Sequence, residues 1–184
     1  MNVAFRVDSS NVIGAGHLKR CLKLAEELRK KSSKIIFITK NFKGNFNKLI
    51  TKKNFKIILI KQDTIQNDIK ATKSICIQYQ IDSLIMDHYY LGIDWEKKIK
   101  KCVKKFIIID DFSDKKHFCD LIINNLYREK NNKTKNLTGL KYIIIPSHFS
   151  QVSNKDKLKK RITIGFFFGS TDKKNCIGKI IKII

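Results

Sequence analysis

The feature that most constrains the fold is a regular alternation of short apolar runs with segments of helical periodicity. Runs rich in Ile, Val and Phe predict strands at 2–7, 34–39, 55–60, 83–87, 105–110, 120–124 and 142–145. Helices are predicted between them at 17–31, 45–52, 64–79 and 95–104. Nearly continuous apolar strands that alternate with helices are typical of a parallel sheet covered on both faces. The predicted fold class is therefore α/β, with a doubly wound, Rossmann-like parallel sheet.

A change in composition separates a large domain from a short remainder. Residues 1–150 carry the alternating pattern and predict one N-terminal domain. Residues 151–161 are polar and rich in Lys, which is typical of a linker. Residues 162–184 predict a strand, a loop and a helix that begins near Asn175, the opening unit of a second α/β domain. Because the sequence ends within that helix, we expect the C-terminal domain to be truncated.

Charge and cysteine content bear on partners and location. The formal net charge is +23, but the 39 basic residues are mostly lysines spread along the chain. Nucleic-acid binders cluster basic residues on one face and favour arginine, so no nucleic-acid partner is expected. The five cysteines are far apart and form no Cys-x-x-Cys pair, which argues against a zinc site and favours the cytoplasm. No apolar run approaches the roughly 18 residues that span a bilayer, so no membrane association is expected.

The loop after the first predicted strand is the most informative stretch of the sequence. In a doubly wound sheet the ligand crevice lies beyond the carboxyl ends of the strands, here the loops after Val7, Asp87 and Asp110. The first of these loops contains a Gly-x-Gly followed at once by a helix, whose N-terminus suits an anionic group. A dinucleotide cofactor is disfavoured, because Lys19 stands at the third glycine position and no acidic residue follows the second strand.

His17 is the candidate catalytic residue of this loop. It is predicted at the first turn of the helix, beside the crevice. The positive end of the helix dipole disfavours a protonated imidazole there, and a neutral imidazole is what a general base requires. The alternative, that His17 only caps the helix or packs locally, stays open at this point.

Four stretches together resemble one enzyme family. The longest is Phe5-Arg6-x-Asp8-Ser9-Ser10-x-x-Ile13-Gly14-x-Gly16-His17-x-x-Arg20-Cys21. The others are Asp87-His88-Tyr89 with Trp95-Glu96, Asp110-Asp111 with His117 and Cys119-Asp120, and Phe168-Gly169-Ser170-Thr171-Asp172 with Asn175. They resemble the hydrolases that release 2,4-diacetamido-2,4,6-trideoxy-altrose from its UDP form in pseudaminic acid biosynthesis.

The resemblance implies a mechanism and a set of site residues. It implies a two-domain GT-B fold with the active site in the cleft, and an inverting hydrolysis that needs no metal or other cofactor. His17 would activate water, and the second domain would make most of the contacts to the nucleotide. The residues expected to bind the nucleotide-sugar substrate are Asp8, Ser9, Ser10, Gly14, Gly16, Lys19, Arg20, Asp87, His88, Tyr89, Asp111, Ser170 and Thr171. A cytoplasmic location and a link to flagellin glycosylation are implied as well.

Several alternatives remain open from the residues alone. A transferase of the same fold would move the sugar to an acceptor other than water, and a truncated fragment would be inactive. A separately encoded C-terminal half is a further partner that the pattern leaves open. Asp110 and Asp111 either orient the substrate or cap the turn after their strand, and His117 with Cys119 has a spacing that suits a metal ion.

Overall fold

The computed structural model describes residues 1–61, 63–112, 115–125, 134–145, 164–166, 172 and 174–183. The chain divides into two compact units, Met1–Ile144 and Ile145–Ile184. In the second unit the described residues include one helix, α5 (Cys176–Ile181), whose N-cap Asn175 accepts a hydrogen bond from the Gly178 N–H. This helix is where the sequence predicts one. The predicted linker at 151–161 and the residues Ser170 and Thr171 lie outside the described residues.

The first unit is a parallel α/β sheet. Its strands are β1 (Asn2–Val7), β2 (Lys34–Lys40), β3 (Lys56–Ile60), β4 (Ser83–Asp87), β5 (Lys105–Ile109), β6 (Leu121–Asn124) and β7 (Lys135–Thr138). Its helices are α1 (Gly16–Lys30), α2 (Lys48–Lys52), α3 (Ile65–Gln78) and α4 (Ile93–Lys100), with a 3₁₀ helix at Leu140–Tyr142. The sheet order is β3-β2-β1-β4-β5-β6-β7, and every neighbouring pair is parallel.

The topology brings the loops after β1 and β4 together. On one side of the sheet the strands follow in chain order from β1 outward to β3. On the other side they follow in chain order from β4 outward to β7. The register places Val7, the last residue of β1, directly opposite Asp87, the last residue of β4. Ligands bind at such a reversal of strand order, because the two loops diverge there and leave a crevice.

A hydrophobic core covers each face of the sheet. On one face the buried side of α1, including Leu18 and Cys21, packs with Phe5 and Phe37. The other core lies under α3 and α4 and is built around Trp95. Such burial is the dominant favourable term in folding, which explains why apolar runs are reliable markers of these strands. Among the described residues, no helix is long and apolar enough to cross a membrane.

Two predicted strands are wrong or only partly covered by the structure. The apolar run at 142–145 is not a strand: it begins in the 3₁₀ helix and continues without regular structure, and Ile144 packs against the core instead. The last strand of the described sheet is β7, which was not predicted because Lys135–Thr138 is polar and lies at an edge of that sheet. Of the strand predicted at the start of residues 162–184, residues 164–166 have no regular structure, and the residues on either side of them lie outside the described residues.

Candidate functional site

The loop between β1 and α1 is shaped by its own hydrogen bonds. The Ser10 hydroxyl accepts hydrogen bonds from the N–H groups of Val12 and Ile13, at 3.1 and 3.0 Å. The N–H of Gly14 donates to the Ser10 carbonyl at 2.7 Å. Gly14 has a φ of 88°, in the left-handed region that a side chain disfavours. Helix α1 begins directly after this tight loop, so that His17 lies in the first turn of the helix.

His17 forms a buried pair with Asp87 across the switch between β1 and β4. Its Nδ1 lies 2.5 Å from Asp87 Oδ1, and both side chains are buried. With Asp87 ionised, the proton belongs on Nδ1 and the lone pair on Nε2; this tautomer is assigned from the hydrogen bond. Among the described residues, none forms a hydrogen bond with Nε2. The arrangement is that of a general base oriented by a carboxylate.

Arg20 ties Asp87 to the loop after β5. Its Nε and Nη2 donate to the two oxygens of Asp87 at 2.5 and 2.6 Å, and its Nη1 donates to Asp111 at 2.5 Å. Burial disfavours the ionised Asp87, but hydrogen bonds from Arg20 and His17 outweigh it and hold the pKa of Asp87 below its usual range. Burial likewise opposes the charge on Arg20, whose pKa the two carboxylates nonetheless raise. Two carboxylates around one guanidinium leave this cluster with a net negative charge.

Tyr89 forms one wall of the site. Its ring meets the His17 ring edge-on, with centroids 4.2 Å apart, and its hydroxyl donates to Asp111 at 2.9 Å. Burial and this hydrogen bond raise the pKa of Tyr89 to about 12, so the hydroxyl stays protonated at neutral pH. The side chain is partly exposed and can therefore contact both His17 and a bound molecule.

Asp8 and His88 lie beneath the site rather than at its surface. Asp8 is buried and accepts hydrogen bonds from Arg6 at 2.7 and 2.9 Å, from the Lys40 N–H at 2.8 Å and from His88 Nε2 at 3.0 Å. His88 Nδ1 accepts the N–H groups of Tyr90 and Leu91. Burial lowers the pKa of His88, which agrees with a neutral ring that donates on one side and accepts on the other. These two residues support the loop that carries Tyr89.

The other expected substrate-binding residues occupy varied places. Ser9 is buried, and its hydroxyl accepts the Phe46 N–H at 3.2 Å. Gly16 and Lys19 are exposed at the start of α1, where they are accessible to a ligand. A side chain at Gly16 would meet no atom within 4 Å. Ser170 and Thr171 lie outside the described residues, so their role stays a prediction.

Sequence reasoning missed a buried ionic network behind the site. Arg6 is fully buried in the middle of the sheet and donates to Asp68 at 2.6 Å. Asp68, on α3, also accepts from Trp95 Nε1 at 2.9 Å and pairs with Lys40 Nζ at 3.1 Å. The sequence does contain a sign of this network. A charged residue interrupts each of two apolar patterns, Arg6 in a strand and Asp68 on the inner face of a helix.

His117 is held between two carboxylates next to the site. Its Nδ1 lies 2.7 Å from Glu96, which also accepts the Phe118 N–H at 2.6 Å, and its Nε2 lies 3.4 Å from Asp110. Burial alone lowers the pKa of an imidazole, but Asp110 and Glu96 outweigh it and raise the pKa of His117 to about 9. In the part of the chain that is described, no three His, Cys, Asp or Glu side chains come together as a metal site.

This arrangement predicts a pH-dependent stability. Because the folded state raises the pKa of His117 from 6.5 to about 9, the stabilisation is complete below pH 6.5 and is lost as the pH rises through 9. The difference in melting temperature between the wild type and His117→Gln should therefore be largest near pH 6 and shrink towards pH 10. Thermal melts across this range measure it. A difference that does not change with pH would show that the charge on His117 contributes nothing.

Comparison with known proteins gives relatives for nearly the whole chain. It is 32% identical over 185 residues to a Campylobacter jejuni protein named UDP-2,4-diacetamido-2,4,6-trideoxy-beta-L-altropyranose hydrolase, covering 95% of this chain and 62% of that protein. It is also 32% identical over 200 residues to an uncharacterized protein of Methanocaldococcus jannaschii, covering 99% of this chain and 39% of that one. The chain thus spans about two fifths to three fifths of the length of these curated relatives. No protein-family model matches it. The predicted resemblance is confirmed.

Solved structures show the same fold. The chain matches MurG of Acinetobacter baumannii with a TM-score of 0.59 and 12% identity, over 74% of this chain and 44% of that one. It matches a glycosyltransferase from Rickettsia africae with a TM-score of 0.54 and 15% identity, over 74% of this chain and 42% of that one. At this identity the likeness concerns the fold alone. It confirms the predicted fold class, a Rossmann-like α/β domain of the GT-B type.

Proposed function

We propose that this chain is the catalytic N-terminal part of a hydrolase that releases 2,4-diacetamido-2,4,6-trideoxy-altrose from its UDP form in pseudaminic acid biosynthesis. The observation that carries the proposal is the buried His17–Asp87 pair at the ligand edge of the sheet, 2.5 Å apart, with Nε2 as the available lone pair. The 32% identity to a protein of that name, over 95% of the chain, supports the choice of substrate.

The chemistry requires one base and no strong acid. UDP is a good leaving group, so the paired carboxylates of ordinary glycosidases are not needed. Water held by His17 Nε2 attacks the anomeric carbon from the face opposite the nucleotide. As the new carbon–oxygen bond forms, the bond to the phosphate oxygen breaks with its electron pair, and the water proton passes to Nε2. Asp87 stabilises the imidazolium that results, and the configuration at carbon is inverted.

The nucleotide is expected to be held elsewhere. The cluster of Asp87, Asp111 and Arg20 has a net negative charge, which does not favour a diphosphate. We propose that a second domain, on the same polypeptide or on a separate one, binds most of the UDP. The predicted βα unit at 162–184 is consistent with the start of such a domain. We also propose a cytoplasmic location, because the five cysteines are far apart and form no Cys-x-x-Cys pair, a pattern that favours a reducing compartment.

UDP release from the altrose-configured UDP-sugar tests this function. The assay uses this chain alone, and this chain together with a C-terminal half, with UDP-N-acetylglucosamine as the control substrate. We expect release of UDP and of a sugar whose first-formed anomer, seen by NMR, is inverted. UDP release that requires an added sugar acceptor would instead support a transferase, the activity named for one protein of the same fold. No release under any condition would contradict both.

A further inference from the structure

A small cavity adjoins the candidate site on its β5 and β6 side. Its volume is about 150 Å³, and it is lined by Arg20, Ile109, Asp111, Ile123, Asn125, Tyr142, Ile143 and Ile144. It shares Arg20 and Asp111 with the site, and Asp111 accepts the hydroxyl of the Tyr89 that touches His17. A group bound in this cavity would therefore lie next to the reacting centre. We call it the isoleucine pocket.

The size of the isoleucine pocket limits what can enter it. A pocket of about 150 Å³ has room for a small chemical group only. A substituent of a sugar ring fits this volume, whereas a nucleotide does not. The pocket is formed where the strands end, since Ile109 closes β5 and Ile123 lies near the end of β6. The wall opposite the sheet includes Ile143 and Ile144, which follow the 3₁₀ helix.

The chemistry of the lining selects a neutral group with both an apolar and a polar end. Four isoleucines and a tyrosine supply apolar walls. The charge at the polar end is unfavourable for an anion, because Arg20 is already paired with both Asp87 and Asp111. Each carboxylate oxygen has two lone pairs, so Asp111 can still accept an N–H while it binds Arg20 and Tyr89. The Asn125 amide can donate to a carbonyl.

We propose that the isoleucine pocket binds an acetamido group of the substrate and sets the specificity for N-acetylated sugars. The acetyl methyl lies against the isoleucines, and the amide meets the polar end formed with Asp111. The proposal rests on the proposed function, since the diacetamido sugar is the ligand in question. It adds which part of the chain distinguishes that sugar from its unacetylated or bulkier relatives.

Two variants at one position test the pocket. Ile143 is partly exposed and lies outside regular structure, so it tolerates a change of size better than the core does. Ile143→Trp fills the pocket and should raise KM for the UDP-diacetamido sugar about tenfold or more, the range for a misfit in an apolar pocket. Ile143→Ala enlarges it and should improve kcat/KM for the N-propanoyl analogue relative to the N-acetyl sugar. Ile77→Trp, at an exposed position of α3, is the matched control and should leave KM unchanged.

Binding of the free sugar separates this proposal from the proposed function. Saturation-transfer NMR with free 2,4-diacetamido-2,4,6-trideoxy-altrose should show strong contact of an acetyl methyl in the wild type and loss of it in Ile143→Trp. Equal methyl contact in both proteins, or none in the wild type, would overturn the proposal that the isoleucine pocket binds the acetamido group. Turnover with an unchanged KM in Ile143→Trp would also overturn it while leaving the hydrolase intact. Methyl contact that depends on Ile143, without turnover of the UDP-sugar, would support acetamido binding in the pocket and contradict the proposed hydrolase activity.

Discussion

Replacement of His17 by alanine should lower the rate of UDP release by about 10²–10⁴-fold, the usual contribution of a positioned general base. The loss should fall on kcat, because the Nε2 lone pair takes a proton only as water attacks. Asp87→Asn should also reduce kcat strongly, since an amide stabilises neither the required tautomer nor the imidazolium. Steady-state assays of UDP release on the altrose-configured UDP-sugar measure both effects.

Folding has to be separated from chemistry in these variants. His17 lies at the edge of the core, so His17→Ala should keep the circular dichroism spectrum and a cooperative melt. Ile77→Trp serves again as a matched surface control for activity. If His17→Ala turns over at the wild-type rate, the base assignment is wrong, whatever the substrate. If Asp87→Asn alone keeps full activity, Asp87 has no part in orienting the base.

The second large effect is expected from Asp68→Ala, which should cost about 3–5 kcal/mol of unfolding free energy. Removal of this buried carboxylate leaves the fully buried Arg6 with Asp8 alone, and takes away the partners of Lys40 and Trp95. Breaking a buried ion pair and leaving the buried Trp95 N–H without its acceptor are together far more costly than losing a surface pair. The midpoint of urea denaturation, at unchanged slope, measures the loss.

The control for Asp68→Ala is another aspartate of the same unit. Asp63 is exposed and accepts a hydrogen bond from the Asn67 side chain, so Asp63→Ala should hardly move the denaturation midpoint. A loss in Asp68→Ala below about 1 kcal/mol, the range of exposed ion pairs, would mean that Arg6 finds compensation by relaxation or water. The double variant Arg6→Met with Asp68→Leu should not recover the stability, because it leaves the buried Asp8 carboxylate without its guanidinium partner.

The location of the site was predictable because it follows from strand polarity. Val7 and Asp87 end neighbouring apolar strands, and carboxyl ends of parallel strands meet at one edge. The partnership of His17 with Asp87 was not predictable, because the two lie 70 residues apart and only the register brings them together. The sequence pattern suggested that Asp87 contacts the substrate. In the structure, both of its carboxylate oxygens form hydrogen bonds with His17 and Arg20.

The fold was predictable where burial dictates composition and was missed where it does not. Strands β1 to β6 have apolar cores of Ile, Val, Leu and Phe, and the sequence places each of them. Among the described residues β7 is an edge strand, and edge strands commonly carry charged and polar side chains instead of an apolar run. The apolar run at 142–145 was therefore wrongly predicted as a strand, since Ile144 packs against the hydrophobic core and is not part of the sheet.

His17 and Arg20 stand three residues apart on α1, and both bind the single carboxylate of Asp87. Helical spacing thus places the proposed base and the cation that binds the same carboxylate on one face of α1, and Asp87 at the end of β4 holds both side chains. In the proposed hydrolase, His17 and Arg20 take their positions from α1 and Asp87 alone, without the groups that would bind the leaving UDP. We therefore expect that changes in a separate nucleotide-binding domain would alter the choice of nucleotide, while the residues proposed to handle water stay the same.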